Sequence, residues 1–194
     1  MEGDLQIPTA VQLALLGATL SAIGWLLSHF VSMYSEARRS KLVWKLEYTR
    51  QQLEELYGPL VFLVEEGRQT FADFCSMLGR TSVFGSAPLL EHELAAWLFW
   101  AENDFLPRNR AIRDLISTNT HLIEGTRMPV SFRRFIEHQA SWAVLHERWQ
   151  VQQVEYSWHS SVNLPDEFAE EVIEAFDQLK SRHQELIGLV GGRE

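Results

Sequence analysis

Cysteine is nearly absent from this sequence, because Cys75 is the only one among 194 residues. A single thiol excludes an intramolecular disulfide and a metal site built from several cysteines, and it fits a reducing compartment. Metal-binding histidine motifs, glycine-rich phosphate loops, nucleophile elbows and strand patterns are missing as well. We therefore predict no cofactor and no metal, and we interpret the chain as all-α.

Basic residues are outnumbered, with 17 Lys and Arg against 26 Asp and Glu and a formal net charge of −9. Binding to nucleic acid needs basic surface that neutralises phosphates, so an acidic domain carries no strong nucleic-acid signal. The acidic residues concentrate late in the chain, at Asp166, Glu167, Glu170, Glu171, Glu174 and Asp177.

Residues 5–35 contain no Asp, Glu, Lys or Arg. Roughly 20 mostly apolar helical residues cross the hydrocarbon core of a bilayer, so Pro8 to Tyr34 is a candidate membrane span. A signal peptide is the competing interpretation, and it needs a basic start and a shorter apolar core. Here Glu2 and Asp4 precede a longer apolar run, which favours an uncleaved anchor.

The span is followed directly by a basic cluster. Because Lys and Arg near a span stay on the cytoplasmic side, the short acidic tail is predicted to lie outside and the bulk of the chain in the cytoplasm. The same side chains are expected to meet anionic lipid headgroups. The cluster consists of Arg38, Arg39, Lys41 and Lys45.

Small residues form a heptad seam inside the span, at spacings of four and three residues. In lipid, helices associate by close backbone approach, which small residues permit, so the seam predicts a partner helix. The alternative is that small residues are simply common in spans, and a narrow pore enclosed by a ring of copies is a further, weaker hypothesis. The seam consists of Ala10, Ala14, Gly17, Ser21, Gly24 and Ser28.

Helical periodicity dominates the remaining chain. We predict a long helix up to Tyr57, an interruption at Gly58-Pro59, and a helix over residues 60–78 stopped by Gly79. After it we predict a loop over residues 79–88 and a helix that begins near Pro88 and is capped by Ser86. A kink or short break is predicted at residues 105–107, and the next helical run ends at Gly125. Pro129 begins the following helix, residues 157–164 form a second loop, and Pro165 begins the final helix. The predicted division is an anchor over 1–35, a juxtamembrane helix over 36–58 and a cytoplasmic helical bundle over 59–194.

Several short elements resemble those of an uncharacterised group of bacterial single-pass membrane proteins. They are the Tyr-Gly-Pro-Leu element at residues 57–60, Trp97, the Phe-x-Pro-x-Asn element at 105–109, the Asn-x-His-Leu-Ile element at 119–123, and His138 with Trp149. This resemblance implies a layout and a bacterial inner-membrane location, but no activity. The architecture is also similar to the membrane accessory protein of Cas13b-type CRISPR loci, which would imply an oligomeric pore in antiphage defence.

One catalytic motif is conceivable. Arg133 and His138 are separated by four residues, and all-helical HEPN ribonucleases use that spacing, with His as acid/base and Arg on the phosphate. Arg134 would share a helix face with His138. The alternative is a surface Arg pair and a core-edge His. Five histidines, His138 among them, lie outside any known metal-binding motif, and we interpret them as structural. They are His92, His121, His138, His146 and His159.

The favoured hypothesis is a non-catalytic, membrane-anchored helical assembly protein, oligomeric and, in one version, pore-forming. Its predicted partners are membrane lipid and either further copies of the chain or the subunits of a membrane complex. The alternatives are a membrane-anchored HEPN-like ribonuclease and an accessory subunit of a larger membrane complex.

Overall fold

The computed structural model describes residues 9–84, 89–154, 160 and 164–192, with residues 9, 10 and 12 described by their backbone alone. The chain is all-α, as predicted, and no strand occurs in these ranges. Two compact units are present, Glu47–Glu185 and a smaller one made of Met1–Leu46 with Leu186–Glu194. The α-helices in the described ranges are α1 (Thr9–Gln51), α2 (Gly58–Leu78), α3 (Glu91–Trp100), α4 (Leu106–Thr118), α5 (Val130–Gln152) and α6 (Asp166–Gly191).

The predicted interruption at Gly58-Pro59 takes the form of a π turn, and the chain stays helical through it. The π turn covers Gln52–Tyr57, and the N–H of Gly58 donates to the carbonyl of Leu53, five residues earlier. The wider turn leaves no room for a side chain, since a Cβ at position 58 would lie 2.6 Å from that carbonyl oxygen. Glycine is therefore required before Pro59 at this point.

A second π turn replaces the kink or break predicted around Pro107. It covers Ala101–Phe105 and joins α3 to α4, with the N–H of Leu106 donating to the Ala101 carbonyl. Both π turns end one residue before an X-Pro pair. Proline lacks an N–H and crowds the preceding turn, and a locally widened turn accommodates it without ending the helix.

Most predicted helix ends lie close to the glycine or proline from which they were predicted. Gly79 ends α2 with a left-handed φ of 65°, and its N–H donates to the carbonyls of Cys75 and Ser76. Pro129 directly precedes α5, and Gly125 adopts a φ of 93° after α4 has already ended. The start predicted near Pro88 is corrected to Glu91. The predicted cap Ser86, the span start Pro8 and residues 157–159 and 161–163 of the second loop lie outside the described residues.

An aliphatic-rich core holds α2, α4, α5 and α6 together within Glu47–Glu185. Leu56, Leu60, Ile116 and Val172 are fully enclosed, and Phe135 stacks on Phe168 with ring centroids 4.4 Å apart. Leu56 and Leu60 are part of the buried stripe of the π turn and α2.

An aromatic core lies among α2, α3, α4 and α5 of the same unit. Phe74 is in ring contact with Trp97, Trp100 and Phe105 at centroid distances of 5.7, 5.6 and 6.0 Å. Trp97 also stacks on Trp142 at 5.7 Å. Tryptophan and phenylalanine bury large areas and prefer such offset contacts, so this cluster fixes the α3–π turn–α4 segment against α2 and α5.

The segment after α4 is hydrogen-bonded to the first π turn. The Tyr57 hydroxyl accepts the N–H of Glu124 at 3.1 Å, and the buried Gln52 amide donates to the Leu122 carbonyl at 2.8 Å. The Tyr-Gly-Pro-Leu and Asn-x-His-Leu-Ile elements are thus parts of one junction. Two more hydrogen bonds of 3.0 Å each involve the segment after α4. Tyr48 of α1 donates to the His121 carbonyl, and Asn119 donates to the Glu55 carbonyl of the π turn.

Candidate functional site

One helix in the described part of the chain is long and apolar enough to cross a membrane. Every side chain from Leu13 to Tyr34 is exposed, including bulky ones such as Leu20 and Phe30. A charge-free and largely apolar surface of this extent is typical of contacts with lipid or with another protein. This stretch is therefore the first candidate functional surface.

The predicted small-residue seam lies open along this helix. A Cβ at Gly17 or at Gly24 would meet no atom within 4 Å. Ala14, Ser21 and Ser28 are exposed on the same face, while the side chain of Ala10 is not described. The seam therefore leaves room for a neighbouring backbone.

Polar groups within the apolar stretch make local contacts. The Ser21 hydroxyl donates to the Gly17 carbonyl and the Thr19 hydroxyl to the Leu16 carbonyl, both at 2.9 Å. His29 stacks on Trp25 with ring centroids 5.4 Å apart and planes within 1° of parallel. Hydroxyls bonded to their own helix place no unsatisfied donor in hydrocarbon, so these residues are compatible with a membrane setting.

The predicted headgroup residues Arg38, Arg39, Lys41 and Lys45 are all exposed on α1. They come directly after the exposed apolar stretch and before Arg50, which pairs with Glu47 at 2.6 Å and Glu54 at 3.0 Å. Their concentration beside the apolar stretch makes this part of α1 suited to anionic lipid.

The HEPN-like motif lies on α5, where Arg133 and Arg134 are exposed and His138 is partly buried. The His138 ring packs against Trp142 at a centroid distance of 5.9 Å, and its carbonyl accepts the Ser160 hydroxyl at 3.1 Å. These contacts join His138 to the aromatic core. Ribonuclease activity stays a prediction.

The remaining histidines are dispersed. His92 and His121 are exposed on different segments, and His159 lies outside the described residues. His146 is buried beside Glu102, with Nε2 3.3 Å from a carboxylate oxygen. No group of three or more His, Cys, Asp or Glu that could hold a metal ion is found where the structure describes the chain.

Sequence reasoning missed a polar cluster centred on the buried Arg108. Its guanidinium donates to Thr70 at 2.8 Å and pairs with Asp104 and, at 3.3 Å, with Glu66. A Cβ at Gly67 would lie 3.3 Å from Arg108 Cδ, so glycine gives this side chain its space. The only sequence signal was the four-residue spacing of Asp104 and Arg108, which is equally common in surface pairs.

A second missed pair joins the end of α2 to the start of α3. Arg80 binds Glu93 through two hydrogen bonds of 2.7 and 3.0 Å, and the Leu90 N–H donates to the same carboxylate at 2.8 Å. The N–H of Leu90 and then the Arg80 guanidinium lower the pKa of Glu93. Burial, in contrast, raises the pKa of the Tyr57 hydroxyl. These are structural anchors of the bundle.

Comparisons with known protein families, with curated proteins and with solved structures each find no match to this chain.

Proposed function

We propose that this chain is a non-catalytic, membrane-anchored assembly protein in which α1 crosses the membrane and associates with α1 of further copies. The observation that carries the proposal is the exposure of every side chain from Leu13 to Tyr34, a stretch that is largely apolar and contains no Asp, Glu, Lys or Arg. Burying such a surface in lipid is favourable at roughly 25 cal/mol per Å² of apolar area, and no other part of the described chain covers it.

The proposed orientation places the N-terminus outside a bacterial inner membrane and Glu47–Glu185 in the cytoplasm. Arg38, Arg39, Lys41 and Lys45 support it, because basic residues that flank a span stay on the cytoplasmic side. The bacterial setting, a pore and a part in antiphage defence come from the resemblances alone and stay predictions. An accessory role in a larger complex uses the same surface with a different partner helix.

Self-association is proposed to use the small-residue seam. Gly17 and Gly24 have open space where a Cβ would stand, which lets a second helix approach the backbone closely. Without a hydrophobic driving force between helices in lipid, this close packing is the main source of affinity.

The test compares two small-to-large changes on α1. Gly24→Leu obstructs the seam, whereas Ala22→Leu adds the same side chain about 160° around the helix, as follows from 3.6 residues per turn. We expect the full-length protein in mild detergent to have the native mass of an oligomer. Gly24→Leu should lower this mass, and Ala22→Leu should leave it unchanged.

Crosslinking in native membranes provides the independent measurement. A monomer in both detergent and membranes, with no fixed partner, would reject the assembly proposal. A protein that dissolves in buffer without detergent would reject the anchor itself.

A further inference from the structure

A cavity of about 510 Å³ lies in the unit made of Met1–Leu46 and Leu186–Glu194. The α1 side of the cavity is formed by Ser35, Arg38, Arg39 and Leu42. The opposite side is formed by residues 188–192, which are the last turn of α6 and the residue after it. The cavity therefore begins one residue after the exposed apolar stretch of α1.

Three of the lining residues are glycines, Gly188, Gly191 and Gly192. A Cβ at Gly188 or at Gly191 would meet no atom within 4 Å, so a larger side chain has room at both positions. Between Leu186 and Gly192 the chain has only aliphatic residues and glycine, and Ile187 and Leu189 are exposed. The α6 side of the cavity is thus apolar and rich in glycine, whereas two arginines line the α1 side.

The electrostatics of the lining favour an anion. Among the described residues that line it, the charged ones are Arg38 and Arg39, and none of them carries a carboxylate. The carboxyl end of α6 opposes an anion with about half an elementary charge, which two full positive charges outweigh. A guanidinium presents a planar array of donors that matches two phosphate oxygens at once, so the chemistry points to a phosphate group.

We propose that this cavity binds the headgroup of an anionic phospholipid, with Arg38 and Arg39 on the phosphate and the apolar end of α6 beside the first acyl carbons. The inference rests on the proposed membrane span of α1, which brings the cavity to headgroup depth. A free phosphate would use the arginines but leave the apolar wall in water, whereas a phospholipid uses both walls. The aliphatic end of α6 becomes a second lipid contact of the chain.

The basic cluster itself supplies a matched control. Arg38→Gln/Arg39→Gln and Lys41→Gln/Lys45→Gln each remove two positive charges from the same stretch of α1, but only the arginines line the cavity. General attraction to an anionic surface is worth a similar amount for every Lys or Arg near it, so it predicts equal losses from the two pairs. A specific site at the cavity predicts a larger loss of binding from the arginine pair than from the lysine pair.

The measurement is native mass spectrometry of the full-length protein in a neutral detergent, titrated with phosphatidylglycerol or with phosphatidylcholine. We expect one retained phosphatidylglycerol per chain and weaker retention of phosphatidylcholine. The arginine pair should weaken phosphatidylglycerol binding about tenfold or more, because hydrogen bonds between charged partners are the strong class. The lysine pair should weaken it less than about threefold, as expected for exposed charges.

A second variant tests the cavity without changing charge. Gly188→Leu places a side chain in the open space, whereas Gln184→Leu adds the same side chain to an exposed position of α6 that does not line the cavity. Gly188→Leu should reduce phosphatidylglycerol retention, and Gln184→Leu should not. Inorganic phosphate should displace the lipid poorly.

Three results would overturn the lipid site. They are equal losses from the arginine and lysine pairs, unchanged retention in Gly188→Leu, and displacement by inorganic phosphate as effective as by phosphatidylglycerol. Each can occur while the protein still needs detergent and forms oligomers, so the proposed membrane function would survive. A chain that is soluble without detergent would instead remove both.

Discussion

The same kinds of side chain occupy opposite environments in two regions of this molecule. Phe30, in the apolar stretch of α1, is 64% exposed, whereas Phe74, in the aromatic core, is 0% exposed. Within Glu47–Glu185 the apolar residues cover one another, and between Leu13 and Tyr34 they cover nothing. The difference teaches that Glu47–Glu185 has a core of its own, whereas the proposed span has its apolar side chains on the outside. Matched substitutions in the two environments test it.

The largest expected effect comes from truncating a buried ring. Phe74→Ala removes contacts to Trp97, Trp100 and Phe105 and should lower the free energy of unfolding of Glu47–Glu185 by about 3–5 kcal/mol. Phe30→Ala is the matched exposed change and should leave this free energy unchanged while weakening membrane association. Urea unfolding in mild detergent, followed by near-ultraviolet circular dichroism, measures the first quantity. Similar losses from both variants would mean that residues 13–34 belong to a folded core.

An intermediate effect is expected from the two kinds of ion pair. Arg108→Ala leaves the partly buried Asp104 without its partner and should reduce the free energy of unfolding by about 1–3 kcal/mol. Arg68→Ala breaks an exposed pair with Glu65 on α2. This change should alter the free energy of unfolding by less than about 0.5 kcal/mol. The same urea titration compares them. Equal effects would show that burial does not decide the value of these pairs.

The smallest effect concerns acid stability. The pKa of Glu93 is lowered below its ordinary value of 4.5, first by the Leu90 N–H and then by Arg80. Its contribution to stability is therefore complete above the unfolded pKa and is lost as the pH falls through the lower folded pKa. Glu93→Gln should flatten the loss of stability between about pH 5 and pH 3.

Glu47→Gln is the exposed counterpart of this change. Arg50 also lowers the pKa of Glu47, chiefly by a hydrogen bond, but the Glu47 side chain is 51% exposed and water screens the pair. We expect Glu47→Gln to lose stability with falling pH as the wild type does. A flattening as large as in Glu93→Gln would contradict the assignment of the effect to the buried α2–α3 pair.

The sequence was informative where one local cause dominates. The charge-free run over residues 5–35 predicted the exposed apolar helix, Gly79 predicted the end of α2 because only glycine adopts its φ of 65° without strain, and Pro129 predicted the start of α5. Each of these signals lies within the segment that it predicts, so no tertiary information was needed.

The sequence was uninformative where two distant segments decide the outcome. Gly58-Pro59 was expected to break the helix, but the Gln52 and Tyr57 hydrogen bonds to residues 122–124 stabilise this segment in a π turn. The burial of Arg108 on α4 depends on the small size of Gly67 on α2, and the sequence alone does not show that these two residues meet. The cavity lined by α1 and the end of α6 could not be predicted for the same reason, since its two sides are more than 140 residues apart in the chain.

The lone cysteine has a practical consequence. Cys75 is buried beside the aromatic core, and its enclosure raises the pKa of the thiol, so little of the reactive thiolate is accessible in the folded protein. The wild-type chain is thus a nearly silent background for maleimide chemistry. A cysteine introduced in place of Leu5 or Arg148 would be labelled selectively from one side of intact cells, which would read the sidedness of each end without first rebuilding the protein.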